Sequence, residues 1–322
     1  MKYRLECVDA GSEYCPCYLA ETNNCITCSH LQGKQFCDCE WRGTCIYQEY
    51  VNNGYQKTYQ REDIPVQVEK RESIGSNCMM LKIKVSKTLA RQLKEPGAYV
   101  FLRGTDLPHY FDVPMSIMEA DDSNGYIYIS YQTLGAKTKK LDEDRSEFLL
   151  RGPYWNGLYG LKSLKKVSED NCLVIARGIA QAPAILVIKK LIKNRNKVIF
   201  VVDKGVVGEI FIEDLIDGLD IRIIEEDVQS ENGKFLIKNI LRNEDIGLVY
   251  SGGSDVLHAS VINMIDQVGV NPNIVITNNN EICCGEGICG GCTIRLSNGV
   301  RAKTCKTQLE ARKVIERRVF DD

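Results

Sequence analysis

Five cysteines lie close together near the C-terminal end of the chain, in the segment EICCGEGICGGCTIRLSNGVRAKTC. Four of them follow the spacing C-x4-C-x2-C-x12-C, namely Cys284, Cys289, Cys292 and Cys305. The first three match the plant-type 2Fe–2S spacing, in which a fourth cysteine arrives from further along the chain. The glycines between them let the backbone wrap closely around a ligand. The spacing therefore predicts a 2Fe–2S cluster held by these four thiolates.

A structural zinc site and free thiols are the alternatives for this segment. Zinc sites usually pair two C-x2-C knuckles, whereas this segment has one. Cys283 falls one residue too early, so we expect its side chain to face elsewhere. The stretch TIRLSNGVRAKTC is typical of a hairpin, in which an Asn298-Gly299 turn would return Cys305 to the other ligands.

A second group of cysteines occupies the N-terminal part of the chain. Their spacings match no ferredoxin run. Three alternatives follow: an iron–sulfur cluster, one or two zinc ions, or disulfides and unliganded thiols. Cys7 could be a further ligand, and His30 could join zinc. This segment is poor in aliphatic residues, so we expect it to need a metal to fold. The candidate ligands of this second site are Cys15, Cys17, Cys25, Cys28, Cys37, Cys39 and Cys45.

Composition narrows the possible partners and the compartment. The formal net charge of −2 gives no reason to expect nucleic acid or an anionic membrane as a partner. The N-terminus lacks the apolar core of a signal peptide, and the longest apolar stretch is interrupted by polar and charged residues, so we expect a cytoplasmic chain without a membrane span. Fifteen cysteines in such a chain indicate metal or iron–sulfur binding, because disulfides rarely persist in that compartment. The isolated Cys78 and Cys172 are predicted to be core residues.

The elements that must position these ligands fall into four segments. Short β-rich runs separated by turn residues predict a small antiparallel barrel. Apolar strands that alternate with helix-like stretches then predict a parallel sheet covered by helices on both faces. The helix-like stretches are APAILVIKKLIK, GEIFIEDLIDGL, GKFLIKNILRN and SDVLHASVINMIDQV. The predicted domains are a cysteine-rich module (1–60), the barrel (61–157), the α/β domain (158–280) and the 2Fe–2S module (281–322).

This order of domains resembles the electron-transfer subunit of dihydroorotate dehydrogenase. It is also similar to the small flavoprotein subunits of sulfide dehydrogenase and of bifurcating transhydrogenases, all in the ferredoxin–NADP reductase superfamily. The resemblance spans residues 62 to 305 and implies an FAD-binding barrel followed by an NAD(P)-binding-like domain. The motifs that carry it are VPMSI, YQTLGAKT and RGPYWNG.

The resemblance implies which residues bind FAD. The hydroxyl of Ser116 is expected near the reactive nitrogen of the flavin, which makes Ser116 the candidate catalytic residue. One departure from the family is Val113, where many relatives carry an arginine that neutralises pyrophosphate charge. The implied FAD-binding residues are Pro114, Met115, Ser116, Ile117, Tyr131, Gly135, Ala136, Lys137, Thr138 and Gly152.

The implied pyridine-nucleotide site is altered. The family's glycine-rich turn corresponds to ARGIAQAP, where Gly178 and Pro183 remain but Arg177 and Ala180 occupy glycine positions. Arg177 would contact phosphate if NAD(P)H binds, and Asp203 would lie near the adenosine ribose. Gly252, in Ser251-Gly252-Gly253, corresponds to the family's Cys-Gly-Pro beside the nicotinamide. The alternative is a domain that keeps the fold and has lost or changed its ligand.

Two functions follow from this reading. The first is an electron-transfer flavoprotein that passes electrons between NAD(P)H or a partner cofactor, FAD and the 2Fe–2S cluster. The resemblance then implies a larger flavin- or iron–sulfur-containing oxidoreductase subunit as its partner. The alternative is a non-catalytic redox- or metal-responsive adaptor that retains the reductase fold.

Overall fold

The structure is a computed structural model that describes residues 5–143, 145–297 and 299–319. The strands are β1 (Glu6–Cys7), β2 (Asp63–Ser73), β3 (Cys78–Lys84), β4 (Tyr99–Gly104), β5 (Val113–Asp121), β6 (Tyr126–Gln132), β7 (Glu147–Tyr154), β8 (Leu158–Tyr159), β9 (Asn171–Arg177), β10 (Lys197–Asp203), β11 (Ile221–Glu225), β12 (Ile246–Gly252), β13 (Asn273–Thr277), β14 (Thr293–Arg295), β15 (Arg301–Lys303) and β16 (Thr307–Gln308). The helices are α1 (Tyr18–Glu21), α2 (Ile46–Asn52), α3 (Lys87–Gln92), α4 (Ala136–Leu141), α5 (Leu161–Lys166), α6 (Gln181–Lys193), α7 (Glu213–Ile216), α8 (Glu231–Asn243), α9 (Asp255–Val268) and α10 (Ala311–Val319).

These elements form two compact units. One, the cysteine-rich unit, contains the chain up to Asp63 together with Asn280–Leu309. The other, the barrel–sheet unit, contains Ile64–Asn279 and the chain from Glu310 onward. The first and last cysteine-bearing segments therefore share one unit, although more than two hundred residues separate them in the sequence.

A closed antiparallel barrel forms the first half of the barrel–sheet unit. Its strand order is β2-β3-β6-β5-β4-β7. Alternate residues of each strand point inward, and the core includes Leu81, Val100, Ile117, Ile129 and Leu150. The antiparallel barrel predicted from the sequence is confirmed, and closure leaves its strands without a free edge.

A six-stranded sheet forms the second half of this unit. Its order is β11-β10-β9-β12-β13-β8, in which β9 to β13 are parallel and β8 pairs antiparallel with β13. Strands β9, β10 and β12 are buried on both faces, as the sequence predicts for a parallel sheet, whereas Ile223 of the edge strand β11 is exposed. Helix α10 packs on α9 through Arg312 and Arg318, which pair with Asp266 and Asp255 at 2.8 and 2.7 Å.

Three of the four predicted helical stretches form long helices, and GEIFIEDLIDGL does not. Only α7, four residues long, is helical there. Gly208 lies in the left-handed region with φ +86°, so the helix cannot begin at that residue. Val207 is 2 % exposed and packs with Ile179 and Phe211. Tertiary packing of this loop has overridden the local helical pattern.

Short pieces of structure build the cysteine-rich unit. Strand β1 pairs with β16 near the other end of the chain, through Glu6 with Gln308 and Cys7 with Thr307. The N-terminal part of the unit buries only a small cluster of apolar residues, which includes Ala20, Leu31 and Ile46. This small core fits the expectation that the segment needs a further source of stability.

Candidate functional site

The four cysteines of the C-terminal motif come together in the cysteine-rich unit. The thiol of Cys305 is a hydrogen-bond partner of both Cys284 and Cys292, and Cys289 is a partner of Cys284. Backbone N–H groups of Glu286, Ile288 and Cys289 donate to the sulfur of Cys284, the first of them at 3.3 Å. Donors of this kind stabilise thiolates, which are the form that binds metal.

The pKa values of these thiols separate into two directions. Bonding to Cys305 and to backbone N–H groups lowers the pKa of Cys284 to about 4. The pKa of Cys292 is lowered to about 6 by hydrogen bonds from the thiol and the backbone N–H of Cys305 and from the side chain of Thr304. The same pairing with Cys284 and Cys292 raises the pKa of Cys305. Burial raises the pKa of Cys289.

The predicted hairpin returns Cys305 to the other cysteines. Strands β14 and β15 pair antiparallel, with Ile294 opposite Ala302. The N–H of Thr304 then donates to the carbonyl of Cys292 at 3.1 Å, so Cys305 follows directly beside Cys292. The hairpin is confirmed, while Asn298 of its predicted turn lies outside the described residues. Cys283, which the sequence analysis leaves out of the ligand set, is exposed.

The N-terminal cysteines separate into different surroundings. Cys15, Cys17 and Cys25 are half-buried and line one small cavity together with Cys7. Cys28 is buried, and the sulfurs of Cys37 and Cys39 lie 3.6 Å apart at the surface. Cys45 is exposed immediately before α2. Burial raises the pKa of Cys15 to about 12 and also raises the pKa values of Cys25 and Cys39. Within the part of the chain that the structure describes, no three metal-binding side chains converge on a single ion position.

A buried charge network connects the two ends of the chain inside this unit. Arg61 holds Asp9 through two bonds of 3.1 Å, and it reaches Glu286 at 3.3 Å. Lys306 pairs with Asp9 and, at 2.8 Å, with Glu286. The ring of Tyr14 lies 3.9 Å from the Arg61 guanidinium. Two cations and two carboxylates thus balance one another between the loop of Cys284 and the N-terminal segment.

In the barrel–sheet unit, the predicted flavin motif lies on β5. Met115 and Ile117 are 5 % and 1 % exposed and belong to the barrel core. Pro114 and Ser116 lie on the opposite face of the strand, where Pro114 is exposed and Ser116 half-buried. Side-chain contact with a ligand is therefore open to Pro114 and Ser116, whereas Met115 and Ile117 shape the strand from inside.

The predicted phosphate segment follows β6 and leads into α4. Tyr131 is buried and its hydroxyl bonds to Asp142 at 3.3 Å, while burial raises its pKa to about 12. The hydroxyl of Thr138 accepts from the N–H of Gly135 at 3.1 Å. Gly135 and Ala136 are exposed, and nothing lies within 4 Å of where a Cβ of Gly135 would be. The hydroxyl oxygen of Thr133 is buried without a hydrogen-bond partner among the described residues.

A cluster of charges beside this segment was not foreseen from the sequence. Asp112 pairs with Arg103 and with Arg151, each at 2.7 Å. Lys137, which the sequence analysis does single out, donates to the carbonyl of Asp112 at 3.0 Å. Arg151 also lies 4.6 Å from the ring of Phe101. Its position directly before Gly152, in RGPYWNG, is the signal that could have found it.

The strand register places Arg151 close to the flavin motif. Phe101 of β4 is opposite Pro114 of β5 on one side and Arg151 of β7 on the other. Gly152 follows in β7, where an added Cβ would lie 2.9 Å from Val100. The cation that Val113 does not provide is therefore available from β7, which lies on the far side of β4 in the same barrel.

The altered glycine-rich turn lies between β9 and α6. Arg177 ends β9 and pairs with Asp203 at 2.6 Å and with Asp227 at 3.0 Å. Asp203 ends β10 and also accepts from the N–H groups of Gly205, at 2.7 Å, and Val228, at 3.1 Å. Both predicted nucleotide-binding side chains are thus engaged with each other and with the backbone.

The loop after β10 covers this turn. A Cβ added to Gly205 would lie 3.1 Å from both Cα and N of Gly178, which itself has φ +57°. The side-chain amide of Gln181, fully buried at the start of α6, donates to the carbonyl of Glu209 at 3.1 Å. Pro183 lies in the first turn of that helix, where its missing N–H is tolerated.

A row of hydrogen-bonded, buried polar side chains lies at the end of β12 beside Gly252. Ser251 bonds to Nδ1 of His258 at 2.9 Å, and Nε2 of His258 bonds to Thr277 at 3.0 Å. The side-chain amide of Asn279 lies 3.3 Å from the same nitrogen. Burial lowers the pKa of His258 to about 4, so the ring is neutral at neutral pH. His258 could not be foreseen from the sequence, because a single histidine on a helix carries no distinguishing pattern.

A closed antiparallel barrel followed by this sheet is the fold of ferredoxin reductase-like proteins. One similar structure is an NADH-dependent reduced ferredoxin–NADP oxidoreductase, with a TM-score of 0.63, 15 % identity and coverage of 77 % of this chain and 88 % of that one. Another is the ferredoxin reductase in carbazole 1,9a-dioxygenase, with a TM-score of 0.54, 13 % identity and coverage of 68 % and 70 %. These similarities show the fold.

Sequence comparison finds relatives that are more similar to this chain than the solved structures above. The chain is 27 % identical over 217 residues to the electron transfer subunit of dihydroorotate dehydrogenase B (NAD(+)) of Clostridium acetobutylicum, covering 66 % of this chain and 81 % of the relative. It is 24 % identical over 205 residues to the probable counterpart of Methanocella arvoryzae, covering 62 % and 72 %. No family model matches the chain. The relatives support flavin-based electron transfer and, at a coarse level, an oxidoreductase.

No helix in the described parts of the chain combines the length and the apolar character that crossing a membrane requires.

Proposed function

We propose that this chain is an electron-transfer flavoprotein that binds FAD at the barrel and a 2Fe–2S cluster at Cys284, Cys289, Cys292 and Cys305. The observation that carries the proposal is the gathering of these four thiols, with backbone N–H groups directed at Cys284. Bound together, FAD and the cluster would supply conversion between two-electron and one-electron transfer.

The barrel residues would hold and orient FAD. Arg151 and Lys137 would meet the pyrophosphate in place of the arginine that Val113 replaces, because both converge on Asp112 near Pro114. The buried hydroxyl of Thr133 would find its hydrogen-bond partner in the same ligand, since a buried hydroxyl without one is costly. Ser116 would donate or accept a hydrogen bond at the flavin ring.

The partner would be a larger oxidoreductase subunit. This inference rests on the relatives, which are electron transfer subunits by name. A cytoplasmic location and the domain boundaries given above belong to the same proposal.

Anaerobic purification of the full chain tests the flavin proposal. We expect bound FAD, identified by its absorbance spectrum and by release on denaturation. A chain that purifies without flavin and does not take it up from added FAD would refute the proposal.

A matched pair of cysteine variants tests the cluster. Cys289→Ser should abolish the electron paramagnetic resonance signal of the reduced 2Fe–2S cluster, because it removes a ligand. Cys283 is exposed, as Cys289 is, but it is not a predicted ligand. Cys283→Ser is therefore the control and should retain the signal. Equal signals in the two variants would contradict the ligand assignment.

A non-catalytic adaptor is the second candidate function. The pairing of Arg177 with Asp203 and the contact of Gly205 with Gly178 favour it, because they occupy the turn where a dinucleotide would bind. Anaerobic titration with NADH and NADPH separates the two functions. Bleaching of the flavin absorbance by either nucleotide would rule out the adaptor. If neither nucleotide bleaches it, direct oxidation of NAD(P)H by this chain is ruled out.

A further inference from the structure

Four cysteines line one cavity in the N-terminal part of the cysteine-rich unit. They are Cys7, Cys15, Cys17 and Cys25, and the cavity measures about 20 Å³. The rest of its lining is largely apolar and includes Leu19, Ala20, Ile26 and Ile46. Their spacing is C-x7-C-x-C-x7-C, in which Cys7 contributes from β1 and the others from the turns around α1.

Backbone N–H groups are directed at three of these sulfurs. Cys7 accepts from Asp9 and Cys15 accepts from Gly11. Cys25 accepts from the N–H groups of Thr27 and Cys28, the latter at 3.4 Å. This pattern repeats the one around Cys284 in the same unit. Such N–H···S bonds are a feature of iron–sulfur sites, where they help to set the reduction potential.

The other N-terminal cysteines do not line this cavity. Cys28 is buried in a small apolar cluster with Leu31, against which Cys15 and Cys25 also pack, and its N–H donates to the sulfur of Cys25 at 3.4 Å. Cys37 and Cys39 pair with each other at the surface, and Cys45 is exposed. Three of the seven cysteines predicted from the sequence therefore line this cavity, and Cys7 is the fourth cysteine there.

We infer that Cys7, Cys15, Cys17 and Cys25 are the four thiolate ligands of a second iron–sulfur cluster. The four cysteines line one cavity, and backbone N–H groups are directed at the sulfurs of Cys7, Cys15 and Cys25. Four cysteines are the ligand set of both 2Fe–2S and 4Fe–4S clusters.

The surroundings of the cavity fit a redox role for this second cluster. Asp9 lines the cavity and shares Lys306 and Arg61 with Glu286, which lies between Cys284 and Cys289. One network of ion pairs therefore connects a residue that lines the cavity with the loop between Cys284 and Cys289, within one unit. The second site does not depend on FAD binding or on the proposed partner.

Iron and acid-labile sulfide analysis on the anaerobically purified full chain is the first test. The Cys289→Ser background removes the C-terminal cluster, so the iron that remains reports the second site. We expect two or four irons to remain per chain, with an equal amount of sulfide. Iron below half an atom per chain, or zinc in its place, would overturn the proposal.

Ligand variants in the same background form the second test. Cys7→Ser and Cys25→Ser should each lose most of the remaining iron and the charge-transfer absorbance. Cys45→Ser is the matched control, because its thiol belongs to the same segment but not to the cavity, and it should keep both. Loss of iron in Cys45→Ser with retention in both ligand variants would overturn the assignment. The iron content of the parent chain decides the question even if a ligand variant fails to fold.

Discussion

Arg151 places a positive charge near the Pro-x-Ser motif, although the residue directly before that motif is Val113. The resemblance implies an arginine at the position of Val113, before the Pro-x-Ser motif, so the sequence alone indicates a missing cation. In the structure Arg151 pairs with Asp112, the residue immediately before Val113. The position of a positive charge is thus a property of the strand register, which neighbouring sequence positions do not reveal.

Substitution of Arg151 by methionine should weaken FAD binding by at least about tenfold, because a cation near a pyrophosphate contributes on the order of 1.4 kcal/mol or more. Flavin content after gel filtration and a fluorescence titration of the apoprotein with FAD measure the effect. Lys82→Met removes a cation from the same barrel at a distant strand position and should bind FAD as the parent does. Equal affinity of both variants would show that Arg151 does not meet the ligand.

His258 makes the stability of the barrel–sheet unit depend on pH. Its folded pKa is lowered to about 4 by burial, against about 6.5 in an unfolded chain. The unfolded state therefore binds more protons between these values, and stability falls as pH drops from 6.5 to 4, by about 3 kcal/mol at most. Above pH 6.5 the contribution of His258 is constant.

Urea unfolding between pH 4 and pH 7.5 measures this dependence. His258→Asn should flatten it, even though the loss of bonds to Ser251 and Thr277 lowers stability at every pH. His109→Asn changes an exposed histidine and should preserve the slope of the parent. An unchanged slope in His258→Asn would assign the pH dependence to other groups.

Most strands of the fold could be predicted from the periodicity of apolar residues along the sequence. The apolar strands of the sheet, the alternating strands of the barrel and the C-terminal hairpin all follow from local patterns. The loop between β10 and α7 does not, because Val207 is held by Ile179 and Phe211 rather than by helical neighbours. Its contact with the turn at Gly178 arises from the tertiary fold, which explains why the sequence could not show that the turn is covered.

Two glycines of this loop allow the contact to be measured. Gly205 has φ +52° and touches Gly178, whereas Gly208 has φ +86° and nothing within 4 Å of where a Cβ would lie. Gly208→Ala should cost about 1 kcal/mol through backbone strain alone. Gly205→Ala should cost about 1–2 kcal/mol more, because its methyl group meets backbone atoms of the turn. Equal losses in urea unfolding would show that the loop does not press on the turn.

At the scale of the whole molecule, the two ends of the chain build one unit together. The number and the local spacing of the cysteines single out four C-terminal thiols, and the structure brings these thiols together. Their role as ligands of a cluster stays a prediction. Number and spacing could not assign the N-terminal thiols, because the cavity depends on β1 pairing with β16. The ion pairs of Arg61 and Lys306 could not be predicted either, because ion pairs between distant segments leave no periodic pattern in the sequence.

The charge network gives this unit a sensitivity to acid. Although burial alone would raise the pKa of Asp9, Lys306 and Arg61 hold it below 3.8. The pKa of Glu286 is likewise held below 4.5 against burial, by Lys306 and Arg61. Because both carboxylates have lowered folded pKa values, their contribution is fully present above about pH 4.5 and is lost as pH falls through those values.

Lys306→Met tests whether this network holds the ends of the chain together. Removal of one cation leaves Asp9 and Glu286 with Arg61 alone in a buried site, and an uncompensated buried charge costs about 3–5 kcal/mol. Chemical denaturation of the full chain at pH 7 measures the loss. The double variant Lys306→Met with Glu286→Gln restores the balance of charge and should recover part of it, whereas Glu286→Gln alone should not stabilise the parent. A loss below about 1 kcal/mol in Lys306→Met, or a double variant as unstable as the sum of the two single ones, would show that the pairs act independently, since coupled neighbours deviate from additivity.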